Sequence, residues 1–266
     1  MPVNFDRVAS EYDDSRYLPA EAAGKAADLL CETARLQAGD LLLDAAAGTG
    51  RFAIPIAERG VRVVGADISE KMLRRLHQKS DPVPIPVRSL LSDLSSLGLR
   101  SNTFDCVLMV HILHLIPEWK EALKEAVRVL KPEGALLLVW EQGERSLLQD
   151  RYYSLAQANN AISGYRGVQS DTIIDWLHRH VVRVMKVNTE RLHWKQETPV
   201  SQTLDYLERR IWSRLWEMPE NLHREIMKDV ISWAAKTYSS FDHAETMDKT
   251  LLLLACERYS EKKIGA

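Results

Sequence analysis

The residues of this 266-residue chain that could do chemistry begin with an acid at the end of a short apolar run. Asp44 closes the run LLLD, and residues 45–50, AAAGTG, follow it as a loop of small residues. Residues 48–53 read GTGRFA and fit the pattern GxGxxA, and Asp67 follows at close to the roughly 20-residue spacing of a ribose-binding acid. This arrangement predicts a loop that binds a nucleotide-type ligand.

The position of Asp44 separates two classes of ligand that the glycines alone leave open. A loop that cradles a pyrophosphate works through backbone N–H groups and a helix N-terminus, and both favour negative charge. A carboxylate directly before such a loop would repel phosphates, which disfavours a nicotinamide-linked oxidoreductase. It suits a cationic ligand without phosphate, such as S-adenosylmethionine (SAM), which carries a sulfonium, an ammonium and an adenosine.

Asp67 has two alternative roles at the end of the second apolar run, VRVVGAD. Its carboxylate could accept two hydrogen bonds from a ribose diol at the carboxyl edge of a sheet. It could instead cap the helix predicted over residues 70–78. Because Ser69 is also a good capping residue, we expect Asp67 to bind the ligand and Ser69 to cap the helix.

Alternating strands and helices are predicted to position these residues. Strands alternating with helices imply parallel pairing through right-handed crossovers, hence a doubly wound α/β sheet. Beyond residue 140 the pattern predicts helices over 144–160 and 170–180, one long strand over 181–194, a helical block over 199–240 broken around Pro219, and a last strand over 250–256. The first five strands are predicted at residues 41–45, 61–66, 85–89, 104–110 and 135–140.

Composition excludes several classes of function. The net charge is −2 with both signs interspersed, so nothing indicates a nucleic-acid partner. Cys31, Cys106 and Cys256 are far apart and lack CxxC spacing, which indicates reduced core thiols. The polar N-terminus and the lack of a long apolar run predict a cytoplasmic protein that makes no membrane contact.

Five stretches in order resemble class I SAM-dependent methyltransferases of the small-molecule, methyltransferase type 11-like kind. They are FDRVASEYDDSRY, LLLDAAAGTGRFAIPIA, VVGADISEKML, SDLSSLGLRSNTFDCVLMVHILHLIPEW and EAVRVLKPEGALLLVW. The resemblance is close from residue 5 to about 140. It implies a seven-stranded Rossmann-like sheet with the last strand antiparallel, in a single domain over 1–266 whose SAM-binding core is 1–140.

The resemblance also implies a set of cofactor-binding residues for SAM, whose product is S-adenosylhomocysteine. The methionine portion would lie against the acid and the glycine loop, the ribose on the second acid, and the adenine near the ends of the second and third strands. For Tyr12 and Arg16, a surface helix turn is the alternative. The residues are Tyr12, Arg16, Asp44, Ala46, Gly48, Gly50, Asp67, Ile68, Met72, Asp93, Leu94 and Val110.

Ala46 departs from the family loop, which usually reads D-x-G-x-G-x-G. The added methyl group matters only if this position needs a positive φ or a very close approach of the ligand. Gly48 and Gly50 are retained, so we expect the turn to form and cofactor binding to survive.

The resemblance places the acceptor site outside the carboxyl ends of the strands. A helical cap insertion at about 195–247, between the last two strands, would cover it. His111 and His114 are the candidate catalytic bases, needed only if the acceptor loses a proton; for His114 a structural role is equally open. No cluster of acids indicates a metal. Candidate substrate contacts are Trp140, Glu141, Tyr206, Arg210 and Trp212.

One rival function and two properties of the protein remain open at this stage. A non-catalytic SAM-binding protein with a regulatory or partner-binding role would carry the same loop. The oligomeric state, monomer or homodimer, and the acceptor atom are likewise undetermined. We therefore predict an enzyme that transfers a methyl group to a small molecule, with a SAM-binding regulator as the main rival.

Overall fold

The computed structural model describes residues 3–81, 87–161, 168–180 and 182–258. The chain divides into two compact units. The first comprises residues 1–141, 167–192 and 251–266, and the second comprises 142–166 and 193–250. Each unit has a hydrophobic core of its own.

The sheet has the strand order β3-β2-β1-β4-β5-β8-β6, with β7 paired to β8. The pairings β3-β2, β2-β1, β1-β4 and β4-β5 are all parallel. Leu42 and Leu43 are fully buried, as expected of strands covered on both faces. The predicted doubly wound α/β fold is confirmed. The strands are β1 (Leu41–Ala45), β2 (Arg62–Asp67), β3 (Arg88–Leu91), β4 (Phe104–Val110), β5 (Leu130–Gly143), β6 (Val182–Val187), β7 (His193–Pro199) and β8 (Ala244–Arg258).

Among the described residues, six α-helices belong to the first unit and three to the second. Ser69 begins the helix after β2 as predicted, because its side chain accepts the backbone N–H of Met72 at 3.2 Å. The helices are α1 (Tyr12–Ser15), α2 (Ala20–Ala34), α3 (Ala53–Ala57), α4 (Glu70–Ser80), α5 (Trp119–Val129), α6 (Leu147–Ala158), α7 (Ser170–Arg179), α8 (Val200–Glu208) and α9 (Glu220–Thr237).

Within the described residues the sheet has eight strands where seven were expected. The prediction of one continuous strand over residues 181–194 is wrong. The chain turns between β6 and β7, where the Asn188 side chain accepts the Glu190 N–H at 2.8 Å and Leu192 N–H donates to Thr189 O at 2.8 Å. Both strands pair antiparallel with β8, β6 along residues 253–258 and β7 along 244–250. Residue 181, like residues 85–86 of the predicted third strand, lies outside the described residues.

The second unit contains the helical block that was predicted as an insertion. Helices α8 and α9 lie between β7 and β8, and Pro219 precedes α9 at the predicted break. Helix α6 packs against both of them around a core that includes Leu148, Tyr152 and Val230. The described helices include none long and apolar enough to cross a membrane.

Gly65 lies where the loop after β1 packs most closely on β2. It pairs with Asp44 in the sheet, and a Cβ atom built on it would come within 2.9 Å of the Ala47 Cβ and 3.1 Å of a Leu76 methyl. An alanine at this position must therefore push either the loop or helix α4 outward.

We expect Gly65→Ala to lower the free energy of unfolding by about 1–3 kcal/mol, the usual cost of overpacking. Denaturant unfolding measures it. The matched control is Gly24→Ala in α2, where the nearest atom to the new Cβ is 3.9 Å away, so that helix propensity should raise stability by roughly 0.5–1 kcal/mol. Equal effects of the two substitutions would contradict the close packing of loop on strand.

Candidate cofactor site

The loop between β1 and α3 turns through three residues with positive φ. The values are +77° at Ala46, +54° at Gly48 and +85° at Gly50. The N–H groups of Ala46 and Ala47 both donate to the carbonyl of Ala66, at 2.8 and 3.0 Å. The loop is therefore folded back on the end of β2, and its glycines occupy conformations that L side chains rarely adopt.

Ala46 shows that the position of the first family glycine does require a positive φ. In the left-handed region the methyl group of an alanine crowds its own carbonyl, at a cost of roughly 1–2 kcal/mol. The bonds to Ala66 hold the backbone in this conformation regardless. The departure noted in the sequence is therefore a local strain, and the turn is preserved as expected.

Asp44 carries a buried carboxylate that lacks a complete set of partners. The residue is 2% exposed, and its Oδ1 has no hydrogen-bond partner among the described residues. Burial, together with the negative charge of Asp67, raises the pKa of Asp44 to about 7, while the charge of Arg51 acts in the opposite direction. A buried acid of this kind is stabilised when a ligand supplies a positive charge, which is the requirement that a sulfonium- and ammonium-bearing cofactor meets.

Asp67 joins the loop to the start of helix α4. Its Oδ2 accepts the N–H of Gly48 at 2.9 Å, and its Oδ1 accepts the N–H of Ser69 at 2.8 Å. Burial raises the pKa of Asp67, although these backbone hydrogen bonds oppose that effect. The helix is capped by the Ser69 side chain, so the Asp67 carboxylate supports the loop and still has lone pairs for a diol.

The N-terminal segment, residues 5–16, contacts this loop and the start of α4. Asp6 accepts the Ser69 hydroxyl at 2.5 Å and the Lys71 N–H at 3.2 Å. Asp13 accepts the Thr49 hydroxyl and pairs with Lys79 at 2.9 Å. Sequence patterns did not assign either acid a role, because their partners are more than 30 residues away along the chain.

Tyr12 and Arg16 lie in the same segment and are partly buried. The Tyr12 ring packs edge-on against Phe5 and lies within 3.9 Å of the position a Cβ on Gly48 would take. The backbone carbonyl of Arg16 accepts a hydrogen bond from Arg51.

Arg51 is the residue of this site that the sequence interpretation missed. Its side chain is 13% exposed, and its guanidinium lies 3.7 Å from the Glu141 carboxylate at the end of β5. The signal was present in the sequence, since Arg51 is the one charged residue between positions 45 and 57.

The residues predicted for the adenine lie at the ends of β2 and β3. The N–H of Ser92 donates to the Asp67 carbonyl at 3.0 Å, which joins the two strand ends. Asp93 accepts the Ser95 N–H at 2.8 Å and the Ser95 hydroxyl at 2.7 Å, so it orders the turn that follows. Met72 and Leu94 are buried and Ile68 is partly buried.

His111 and His114 follow β4, directly after the partly buried Val110. Their rings meet edge-on with centroids 4.6 Å apart. His111 has a φ of +49°, its N–H donates to Val139 O at 2.7 Å, and its Nδ1 is buried without a partner among the described residues. Burial lowers the pKa of His111 to about 3 and that of His114 to about 4, so both rings are neutral near pH 7.

The five predicted substrate residues fall in different units. Trp140 and Glu141 end the first unit's part of β5. Tyr206 is buried in the second unit, edge-on to Trp212 with ring centroids 5.9 Å apart. Arg210 donates to Met218 O at 3.1 Å and pairs with Glu220 at 2.7 Å, contacts that join the α8 and α9 regions. Within the described ranges no group of three or more His, Cys, Asp or Glu side chains could hold a metal ion.

The order of acid, loop and second acid on a parallel sheet is the order that the resemblance to class I methyltransferases implies. Residues 43–138 match the family model described as a methyltransferase domain, and the predicted resemblance is confirmed. The chain is 33% identical over 130 residues to 27-O-demethylrifamycin SV methyltransferase of Amycolatopsis mediterranei, covering 48% of each chain. It is 31% identical over 157 residues to the ubiquinone/menaquinone biosynthesis C-methyltransferase UbiE of Cereibacter sphaeroides, covering 56% of this chain and 63% of that one.

Solved structures share the fold at low sequence identity. The YcgJ protein from Bacillus subtilis superposes with a TM-score of 0.59 at 17% identity, covering 89% of this chain and 99% of that one. The [4+2]-cyclase SpnF gives a TM-score of 0.53 at 21% identity, covering 90% and 82%. The chain spans about half to just under two thirds of the length of the two methyltransferases it matches.

We expect Ala46→Gly to raise the free energy of unfolding by about 1 kcal/mol, because glycine removes the strain at a φ of +77°. Denaturant unfolding of the variant and the wild type measures the difference. Ala45→Gly, one residue earlier within β1, is the control and should be destabilising. A loss of stability in both variants would show that Ala46 is not strained.

Asp44→Asn tests the raised pKa of the buried acid. Because the folded-state pKa of about 7 lies above the ordinary value of 3.8, the folded protein binds the extra proton, and stability from this group falls as pH rises between those values. The amide cannot ionise. At pH 8 we therefore expect the free energy of unfolding of the variant to exceed that of the wild type by roughly 2–4 kcal/mol. At pH 4 the two proteins should be nearly equal. The exposed Asp14→Asn is the control, and a matching pH profile for both variants would contradict the assignment.

Proposed function

We propose that this chain is a SAM-dependent methyltransferase that acts on a small-molecule acceptor. One observation carries the proposal: a buried, incompletely partnered carboxylate, Asp44, stands directly before a loop folded with three positive φ angles and joined to Asp67. A cationic cofactor would supply the missing partner of Asp44, whereas a dinucleotide phosphate would add a second negative charge beside it.

The residues present fit such a cofactor. Asp44 would face its ammonium or sulfonium charge, with the backbone at Ala46, Gly48 and Gly50 alongside. Asp67 would accept the ribose hydroxyls, and Tyr12 and Arg16 would close over the methionine end. The adenine would lie among Ile68, Met72, Asp93 and Leu94, and Val110 would lie beneath the sulfonium.

The chemistry that SAM supplies when bound is a methyl group on a sulfonium that is already a good leaving group. The chain then has to hold the acceptor in line and exclude water. With pKa values lowered to about 3 and 4, the neutral rings of His111 and His114 are weak bases, and they suit hydrogen bonding to the acceptor better than proton removal. This favours an acceptor atom that needs no strong base.

The small-molecule acceptor is supported by the names of the matched relatives, which act on a rifamycin and in quinone biosynthesis. The cap expected at about 195–247 and the expected substrate contacts Trp140, Glu141, Tyr206, Arg210 and Trp212 remain predictions from the sequence. A single domain, a monomeric or homodimeric state and a cytoplasmic location remain predictions from the sequence.

A second candidate is a protein with this fold that does not transfer a methyl group. The similarity to the [4+2]-cyclase SpnF supports this second candidate, because a protein with this fold is named for a different reaction. Calorimetry with SAM, S-adenosylhomocysteine and NAD tests the ligand class. Labelled SAM incubated with the protein and a cell extract tests turnover. Binding without labelled small molecules would favour the second candidate, and binding of NAD alone would overturn both.

We expect Asp67→Ala to weaken SAM binding by roughly 1–3 kcal/mol through lost charge-assisted hydrogen bonds to the ribose. Calorimetry on the folded variant measures the change in Kd. Asp67→Asn keeps the size and one acceptor oxygen, so its loss should be smaller. The control is Asp81→Ala, at the exposed end of α4, which should leave affinity unchanged. Unchanged affinity in both Asp67 variants would contradict the proposed contact between Asp67 and the ribose.

A further inference from the structure

Arg51 connects three parts of the first unit. It follows Gly50 at the end of the loop, its Nη1 donates to the carbonyl of Arg16 in the N-terminal segment, and the same nitrogen lies 3.7 Å from Glu141 at the end of β5. The latter distance is too long for a hydrogen bond, so the two groups interact through their charges.

Aromatic rings hold the guanidinium in place. Its central carbon lies 5.8 Å from the centroid of the Tyr12 ring and 5.8 Å from that of Phe52. Both distances are within the range of a cation–π contact. Tyr12 belongs to the N-terminal segment and Phe52 to the loop, so one side chain bridges the two.

The hydrogen bonds of Arg51 do not account for its place in the interior. A guanidinium has five N–H donors, and among the described residues one hydrogen bond, to Arg16, is formed. A side chain that is 13% exposed and forms so few hydrogen bonds acts mainly through its charge.

That charge acts on the acid of the loop. The charged groups that influence Asp44 are Asp67 from β2, which raises its pKa, and Arg51, which lowers it. Cys106 on β4 shares these surroundings, but burial keeps its thiol neutral by raising its pKa well above the ordinary value. Among the described residues, Arg51 is therefore the cation whose charge opposes the raised pKa of Asp44.

We propose that Arg51 is a positioning residue of the cofactor site, which fastens the N-terminal segment over the glycine loop and places a positive charge beside the loop that follows Asp44. This inference rests on the proposed function, since it requires SAM to bind at Asp44. Glu141, 3.7 Å from the Arg51 guanidinium, brings a negative charge into the same surroundings.

The test measures the Kd for SAM by calorimetry between pH 5.5 and 8.5, where affinity should fall as Asp44 becomes protonated. Arg51→Met removes the charge at similar length and should move the midpoint of this fall upward by on the order of one pH unit. Affinity at pH 7 should then drop roughly fivefold, because a one-unit rise lowers the ionised fraction from about one half to about one tenth. Titration of the ligand itself is common to all variants and cancels.

Two further variants separate the charge of Arg51 from its shape and from the charge of Glu141. Arg51→Lys keeps the charge but loses the planar contacts, so it should restore the midpoint while amide exchange in residues 5–16 stays faster than in the wild type. Glu141→Gln leaves Arg51 uncompensated and should move the midpoint downward. Because this variant keeps the shape of the site, it also tests the proposal if Arg51→Met does not fold.

Arg59→Met is the matched control. Arg59 also joins two elements, donating to Asp28 at 2.6 Å and to Gly24 O at 2.7 Å, but it lies outside the site. This variant should lose stability and keep the wild-type midpoint. If wild-type protein fails to bind SAM, the proposed function fails; if it binds SAM and neither Arg51→Met nor Glu141→Gln moves the midpoint, the role of Arg51 is overturned and the proposed function stands.

Discussion

The site depends on one electrostatic constraint, a carboxylate at the buried end of β1 whose oxygen Oδ1 has no partner in the described part of the chain. An unpaired buried acid costs folding free energy, and here the cost appears as a pKa of Asp44 raised to about 7. The charge of Arg51 reduces this cost, whereas the negative charge of Asp67 adds to it. Arg51 supplies a compensating positive charge at the loop. The carboxylate oxygens of Asp67 accept hydrogen bonds from backbone N–H groups.

The loop geometry follows from the need to bring backbone close to that acid. Three positive φ angles within five residues turn the chain back onto β2, where Ala66 accepts two N–H groups and Gly65 leaves room for Ala47. Ala46 shows that the geometry is imposed by these contacts and not by the residue type. A strained residue that persists beside a functional acid indicates that the surrounding structure fixes the backbone.

The N-terminal segment and the end of β5 contribute to the same arrangement from distant positions in the sequence. Asp6 and Asp13 bond to hydroxyls of Ser69 and Thr49, and Arg51 connects Arg16 to Glu141. His111 and His114, neutral because of burial, lie after the neighbouring strand β4. The site thus combines fixed charges at the cofactor loop with uncharged rings at the strand where an acceptor would approach.

Patterns that are local in the chain could be predicted from the sequence. The buried strand runs, the cap at Ser69, the break at Pro219 and the order of acid, loop and second acid each depend on a few neighbouring residues, and they indicated the fold and the cofactor class. The division of residues 181–194 into two strands was missed, because an alternating pattern does not reveal a short turn stabilised by one Asn side chain.

Only the tertiary structure decided the properties that depend on distant residues. The positive φ of Ala46 comes from the hydrogen bonds of the loop to Ala66. The hydrogen-bond partners of Asp6, Asp13 and Arg51 are more than 30 residues away in sequence. Helix α6 joins the core of α8 and α9 across an intervening segment. The protonation of Asp44 and His111 likewise follows from burial, which no single stretch of sequence specifies. The sequence by itself determined which chemical groups stand at the strand ends, and the packing decided which of them are charged and what holds them in place.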